Sequence, residues 1–148
     1  MKAYFLRLFH YNEWAYKRLE DHIVQYGFEH LEVFKLLSHC HNAERIWLNR
    51  IESRDEKVEG WKIYDLKDLF QLLASSNKAW NDFIKSEQDF ERTIQYTNSK
   101  GDTFESVLSD IVAHVANHGT HHRAQVSALL RKSGNIPPGT DFIFFSRD

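Results

Sequence analysis

His114-Val115-Ala116-Asn117-His118-Gly119-Thr120-His121-His122-Arg123-Ala124-Gln125 places four histidines within nine residues. Residues four apart on an α-helix lie on one side, about a turn from each other. His114 can therefore pair with His118, and His118 with His122. The apolar neighbours choose between the pairs. Phe104, Leu108, Ile111, Val115, Val126 and Leu129 recur at steps of three or four, and His118 and His122 complete that series. Both take inward positions, while His114 and His121 fall on the flank. The spacing predicts a long helix opening at Asp102-Thr103, with Glu105 as a capping-box partner, and running to Lys132 or Ser133, where Gly134 stops it.

Upstream of this helix the period changes. Thr93-Ile94-Gln95-Tyr96-Thr97 alternates and is rich in β-branched residues, and Asn98-Ser99-Lys100-Gly101-Asp102 is turn chemistry. A short hairpin or extended loop is expected there. Three more helical stretches precede it. One covers residues 3–25 and ends before Gly27. A second runs from about Phe28 to Ser53, with Leu36, Cys40, Ala43, Trp47 and Ile51 on one stripe. A third runs from about Asp65 to Gln88 through Leu69, Leu73, Trp80 and Ile84. The only two prolines are Pro137 and Pro138, so nothing before them breaks a helix on that account. The expected fold class is all-α, a four-helix bundle with a short hairpin or loop before the last helix, formed as a single domain over residues 1–148. The tail carries Phe142-Ile143-Phe144-Phe145, too apolar to hang free, and should pack on the domain or on a second subunit.

Composition narrows the function. With 148 residues, 42% of them hydrophobic and 27% charged, the chain is of a globular kind. Nineteen basic against twenty-one acidic side chains offer no cationic excess for phosphate neutralisation, which argues against nucleic acid as the partner. The apolar runs are too short for a membrane span or a signal-peptide core, so the cytoplasm is the expected location and a small molecule the expected partner. A single cysteine, Cys40, excludes an intrachain disulfide and a cysteine-rich zinc site.

Nine histidines remain to be explained. Two successive imidazoles on the inward face need partners for their nitrogens. Either neighbours hydrogen-bond them or a metal ion takes them. A tight metal site expects a third protein ligand, and Ser38-His39-Cys40-His41-Asn42-Ala43-Glu44 on the second helix offers two. His39 lies about 40° from Ala43 on the wheel and His41 on nearly the opposite side, which favours His39 by a small margin only. Cys40 points about 100° away from each neighbouring histidine, a poor arrangement for a Cys-His dyad. Glu-x-x-His repeats, His-Glu-x-x-His and Gly-x-Ser-x-Gly are absent from the sequence. Arg123 is a candidate for a substrate carboxylate or an ion pair, and Asn117 and Gln125 for orienting a ligating ring.

The set His39-x-x-x-Ala43-Glu44-x-x-Trp47-Leu48-x-Arg50-Ile51, His114-Val115-x-Asn117-His118-x-x-x-His122-Arg123-x-Gln125 and Gly134-x-x-Pro137-Pro138-x-Thr140-Asp141-Phe142-Ile143 resembles the DinB/YfiT-like superfamily through essentially the whole chain. Ala124 stands where relatives often have glycine. The resemblance implies an up-down-down-up four-helix bundle, commonly dimeric. It also implies one divalent metal ion, zinc or nickel, on three histidines, which by position are His39, His118 and His122. Among the activities it implies are transfer reactions of low-molecular-weight thiols and metal-dependent hydrolysis. The rival expectation is a non-catalytic, stress-related helical dimer with a structural or vestigial metal site.

Overall fold

With proline kept out until residue 137, the chain builds four helices of 21 to 25 residues: α1 (Lys2–Tyr26), α2 (Leu31–Ile51), α3 (Leu66–Ser86) and α4 (Leu108–Lys132). Between α3 and α4 lie two antiparallel strands, β1 (Thr93–Thr97) and β2 (Thr103–Val107), and a single-turn helix, α5 (Phe142–Phe145), follows α4. The computed structural model describes residues 1–98 and 100–147. Ser99 of the expected turn and Asp148 of the tail lie outside the described residues. Among the described residues no helix is long and apolar enough to cross a membrane.

The expected helix ends are close to those observed. At Gly27 the backbone adopts φ 57°, and the amides of Gly27 and Phe28 close back onto the carbonyls of Val24 and Ile23. The start of α4 is a correction. Asp102-Thr103 does not open that helix. Thr103 to Val107 forms β2, in register from Thr93↔Val107 to Thr97↔Thr103. Two physical reasons account for this. The Asn98 side-chain oxygen accepts from the Lys100 and Asp102 amides at 2.8 and 3.0 Å and turns the chain back. The following Thr, Phe and Val favour a pleated strand. Glu105 then faces Gln95 across the ladder at 3.3 Å and caps nothing. Phe104, assigned to the inward stripe, is 46% exposed on β2.

Helix α1 lies on α3 and α4, and α2 lies on the same two. The α1–α3 pair runs antiparallel: Lys2 Nζ donates to the Lys85 carbonyl, and Phe9 stacks on Trp80. The α2–α4 pair is also antiparallel, with Trp47 against His114 and His39 against His122. Contacts of α2 with α3 and the residues leading into it rise together along the chain, from Ser38 with Tyr64, just before α3, to Glu44 with Trp80.

The core has two apolar clusters. One gathers Phe9, Leu48, Trp80, Ile84 and Val112, and the other Leu19, Leu37, Leu69, Leu73 and Leu130. Between them the inward positions are polar. Asn12 sits between Phe9 and Tyr16, Glu44 between Cys40 and Leu48, Asn77 between Leu73 and Trp80, and Arg123 between Gly119 and Val126, all buried. The tail folds back on its own α1. Tyr11 donates to the Thr140 carbonyl at 2.8 Å, Arg18 Nε to the Gly139 carbonyl at 3.1 Å, and Phe142 and Phe145 pack on Tyr11. Ile143 and Phe144 stay about half exposed.

Candidate metal centre

The stripe on α4 is as expected at the histidines: Val115, His122 and Val126 are buried, His118 is half-buried, and His114 and His121 are exposed. Antiparallel packing of α2 on α4 brings His39 opposite them, with its ring centroid 5.0 Å from those of both His118 and His122. One ligand nitrogen from each of the three can be chosen so that all lie within 4.8 Å of one another, a spacing that can hold a metal ion.

Hydrogen bonds fix which nitrogen two of the rings present. His39 Nδ1–H donates to the Gly60 carbonyl at 2.7 Å, and the His39 ring stacks on Trp61 at 3.8 Å and 3°. The loop after α2 thus clamps the ring on an edge and a face. His122 Nδ1–H donates to Gln125 Oε1 at 2.7 Å. Both rings are therefore Nδ1–H tautomers whose Nε2 lone pairs are free to ligate. His122 Nε2 lies 3.1 Å from His118 Nε2, so without a metal ion His118 donates its Nε2–H to that lone pair, and a metal ion there would take the place of the shared proton.

The electrostatics favour neutral rings. Burial, reinforced by the neighbouring histidines, pushes His118 down to about 3, and burial also lowers His122 and His114. Neutral imidazole is the form that ligates, so burial works with the site. The donor set of three convergent nitrogens fits a borderline divalent ion such as zinc or nickel.

His41, the alternative ligand, is not brought to this cluster. It is buried on the side of α2 that faces α3, with its ring 5.5 Å from Tyr64, and burial beside Arg45 lowers it to about 4. Cys40 is buried, and burial pushes its thiol up to about 12, which leaves no thiolate for nucleophilic work near neutral pH. Asn117 is exposed, and Gln125 alone of the two candidates holds a ligand ring. Arg123 is no surface residue. It is 1% exposed, its guanidinium lies over Tyr11 and Tyr16 at 5.0 and 4.9 Å, and Nη2 donates to Thr120 Oγ1 at 2.9 Å.

The buried polar layer was missed in the sequence. Glu44 Oε2 accepts from Ser76 Oγ, and burial raises its carboxyl to about 7 although Ser76 and Arg123 pull the other way. The signal that could have revealed it is the register that located His118: Glu44 occupies an inward step between Cys40 and Leu48. Gly119 gives this layer room. A Cβ there would lie 2.9 Å from both Arg123 Nη1 and the Tyr16 hydroxyl.

The sequence profile of the DinB family matches residues 1–148. The protein described as Protein DinB of Bacillus subtilis (strain 168) is 24% identical over 163 residues, covering 96% of this chain and 93% of its own. No solved structure matches significantly.

Proposed function

The chain belongs to the DinB family, and from that footing we propose that it is a metal-dependent transferase in which His39, His118 and His122 hold one zinc or nickel ion and a small thiol is the nucleophile. The observation that carries the reading is the pair of Nδ1–H donations, His39 to Gly60 and His122 to Gln125, which leave the Nε2 lone pair of each ring for a metal ion, within a cluster whose ligand atoms lie within 4.8 Å of one another. Three neutral protein ligands leave a position open to an exogenous group, unlike a closed structural site. A divalent ion bound there supplies the positive charge that lowers the pKa of a thiol or a water at that position toward neutrality. The protein's own residues do the rest. Gly60, Trp61 and Gln125 hold the rings of His39 and His122 in orientation, and burial favours the unprotonated form of His118 and His122. His114, exposed with its ring centroid 5.7 Å from that of His118, is placed to carry a proton to or from solvent. In the transfer, the thiol sulfur forms a bond to the electrophilic carbon and the leaving group departs with its electron pair.

The wider reading is a single-domain, up-down-down-up four-helix bundle acting in the cytoplasm on a small molecule, as a homodimer. The antiparallel α1–α3 and α2–α4 pairs and the parallel α2–α3 pair support the topology. The half-exposed Ile143 and Phe144 support the second copy, which light scattering at micromolar concentration would detect.

The test is a screen of zinc- and nickel-loaded protein with cysteine, glutathione and bacillithiol against an activated aryl halide. The expected result is thiol-dependent product formation that His122→Ala abolishes. Activity surviving in His122→Ala overturns the mechanism. Stoichiometric metal with no turnover on any thiol or on ester and amide substrates would instead favour the non-catalytic dimer.

A further inference from the structure

An arginine with no acidic partner among the described residues stands at the far end of an aromatic wall that starts at the histidines. The rings of His118 and His114 are 5.7 Å apart, those of His114 and Trp47 5.4 Å, and those of Trp47 and Tyr96 4.9 Å. Apart from exposed His114, each of these is half-buried, so the wall keeps a face toward solvent. The Arg50 guanidinium lies over both Trp47 and Tyr96, at 4.6 and 5.1 Å. Helix α2 thus carries His39 at one end of the wall and Arg50 at the other, separated by about 16 Å of helix axis.

Among the described residues no Asp or Glu pairs with Arg50. The charges around it are otherwise engaged: Glu56 by Arg45, and Arg54 by Glu52. Asp55 remains on the exposed rim. A guanidinium does not escape burial by losing its proton, so a half-buried one favours an anion beside it. Arg50 lines a cleft of about 530 Å³ between the end of α2, the following loop and β1. Asn49, Gln95 and Asn98 line it with amides that already donate to Glu56, Glu105 and Asp102, and Ile46 and Val58 add apolar surface. That volume is in the range of small-molecule sites; of the wall only Arg50 and Tyr96 line this cleft, while Trp47, His114 and His118 lie outside it.

We propose that the wall from His118 to Arg50 is the binding groove for an elongated small molecule with a terminal oxyanion, carboxylate or phosphate. Arg50 holds that terminus by paired N–H donors while the other end reaches the histidine cluster. A planar, always-charged fork suits bidentate oxyanion recognition, and stacking on two rings fixes its orientation in advance. What happens at the histidine end rests on the metal-dependent reading above. The anion contact stands on the geometry around Arg50.

The experiment is a titration followed by NMR at the Trp47 indole and Arg50 Nε–H signals. The probes are 4-phenylbutyrate, phenyl phosphate and the neutral 4-phenylbutyramide. Saturable shifts of both signals are expected with one or both anions, which distinguishes carboxylate from phosphate, and none with the amide. Arg50→Gln should weaken anion binding at least tenfold, and Arg50→Lys, which keeps the charge and the stem, less. Equal binding of the amide, or unchanged affinity in folded Arg50→Gln and Arg50→Lys, overturns the groove. Anion binding without metal binding in the wild type would overturn the metal-dependent reading and leave the groove standing. Metal binding without anion binding would do the reverse.

Discussion

Gly119 allows a prediction whose sign runs against the usual rule. Replacing a mid-helix glycine by alanine ordinarily gains about 1 kcal/mol, because glycine loses more backbone freedom on folding. Here the added Cβ would lie 2.9 Å from Arg123 Nη1, 2.9 Å from the Tyr16 hydroxyl and 3.7 Å from Asn12 Nδ2. The two close atoms are the ends of side chains, which elsewhere could swing aside. Arg123 is 1% exposed and Tyr16 4%, so both are walled in. Overpacking of this kind costs about 1 to 3 kcal/mol. Gly119→Ala should therefore destabilise by up to about 2 kcal/mol net, a fall in Tm of roughly 2–4 °C for each kcal/mol in a chain of this size. Tyr16→Phe removes one of the two obstructing atoms, a hydroxyl that lacks a hydrogen-bond partner among the described residues. Adding it to Gly119→Ala should recover about half the loss, a coupling that a double-mutant cycle by urea denaturation measures directly. A Gly119→Ala variant as stable as the wild type, or more so, would refute the close packing of the polar layer.

Glu44 is raised to about 7 by burial, so it contributes stability that is fully present below about pH 4.5 and lost as the pH rises through 7. Relative to wild type, Glu44→Gln should gain up to about 3 kcal/mol across that window. A flat difference in denaturant titrations at pH 4.5 and 8 would show that the carboxyl is not held neutral. Gln125 is exposed and orients His122, so Gln125→Ala should weaken zinc binding roughly ten- to hundredfold with the melting temperature of the metal-free protein unchanged. Competition against a chelating dye reads this, and wild-type affinity would dismiss the orienting role. Phe145→Ala strips the tail's contacts with Tyr11 and Trp14. It should speed hydrogen exchange at residues 140–147 while leaving α4 protected.

Much of this was legible in the sequence because burial on a helix repeats every three or four residues. Val115, His118, His122 and Val126 share one stripe, and that stripe also singled out His118 and His122 as inward. What failed did so where local signals compete. Asp102-Thr103-Phe104-Glu105 satisfies the capping-box pattern, yet Asn98 turns the chain and pairs Thr103 to Val107 with β1, a non-local contact that helix periodicity does not register. The choice of His39 over His41 depended on which face of a broadly apolar α2 meets α4, and a wheel does not say which neighbour lies on which side. Arg123 and Glu44 read as solvated charges only when their inward register is ignored.

The central claim is that three histidines on two helices form one metal site, and zinc stoichiometry tests it most directly. Metal-free protein titrated with zinc by calorimetry, beside the His118→Ala/His122→Ala variant and single His39→Ala, should bind one ion per wild-type chain. The double variant should bind none, and His39→Ala should bind far more weakly. One ion per chain retained by the folded double variant, or no binding by the wild type, would contradict the assignment.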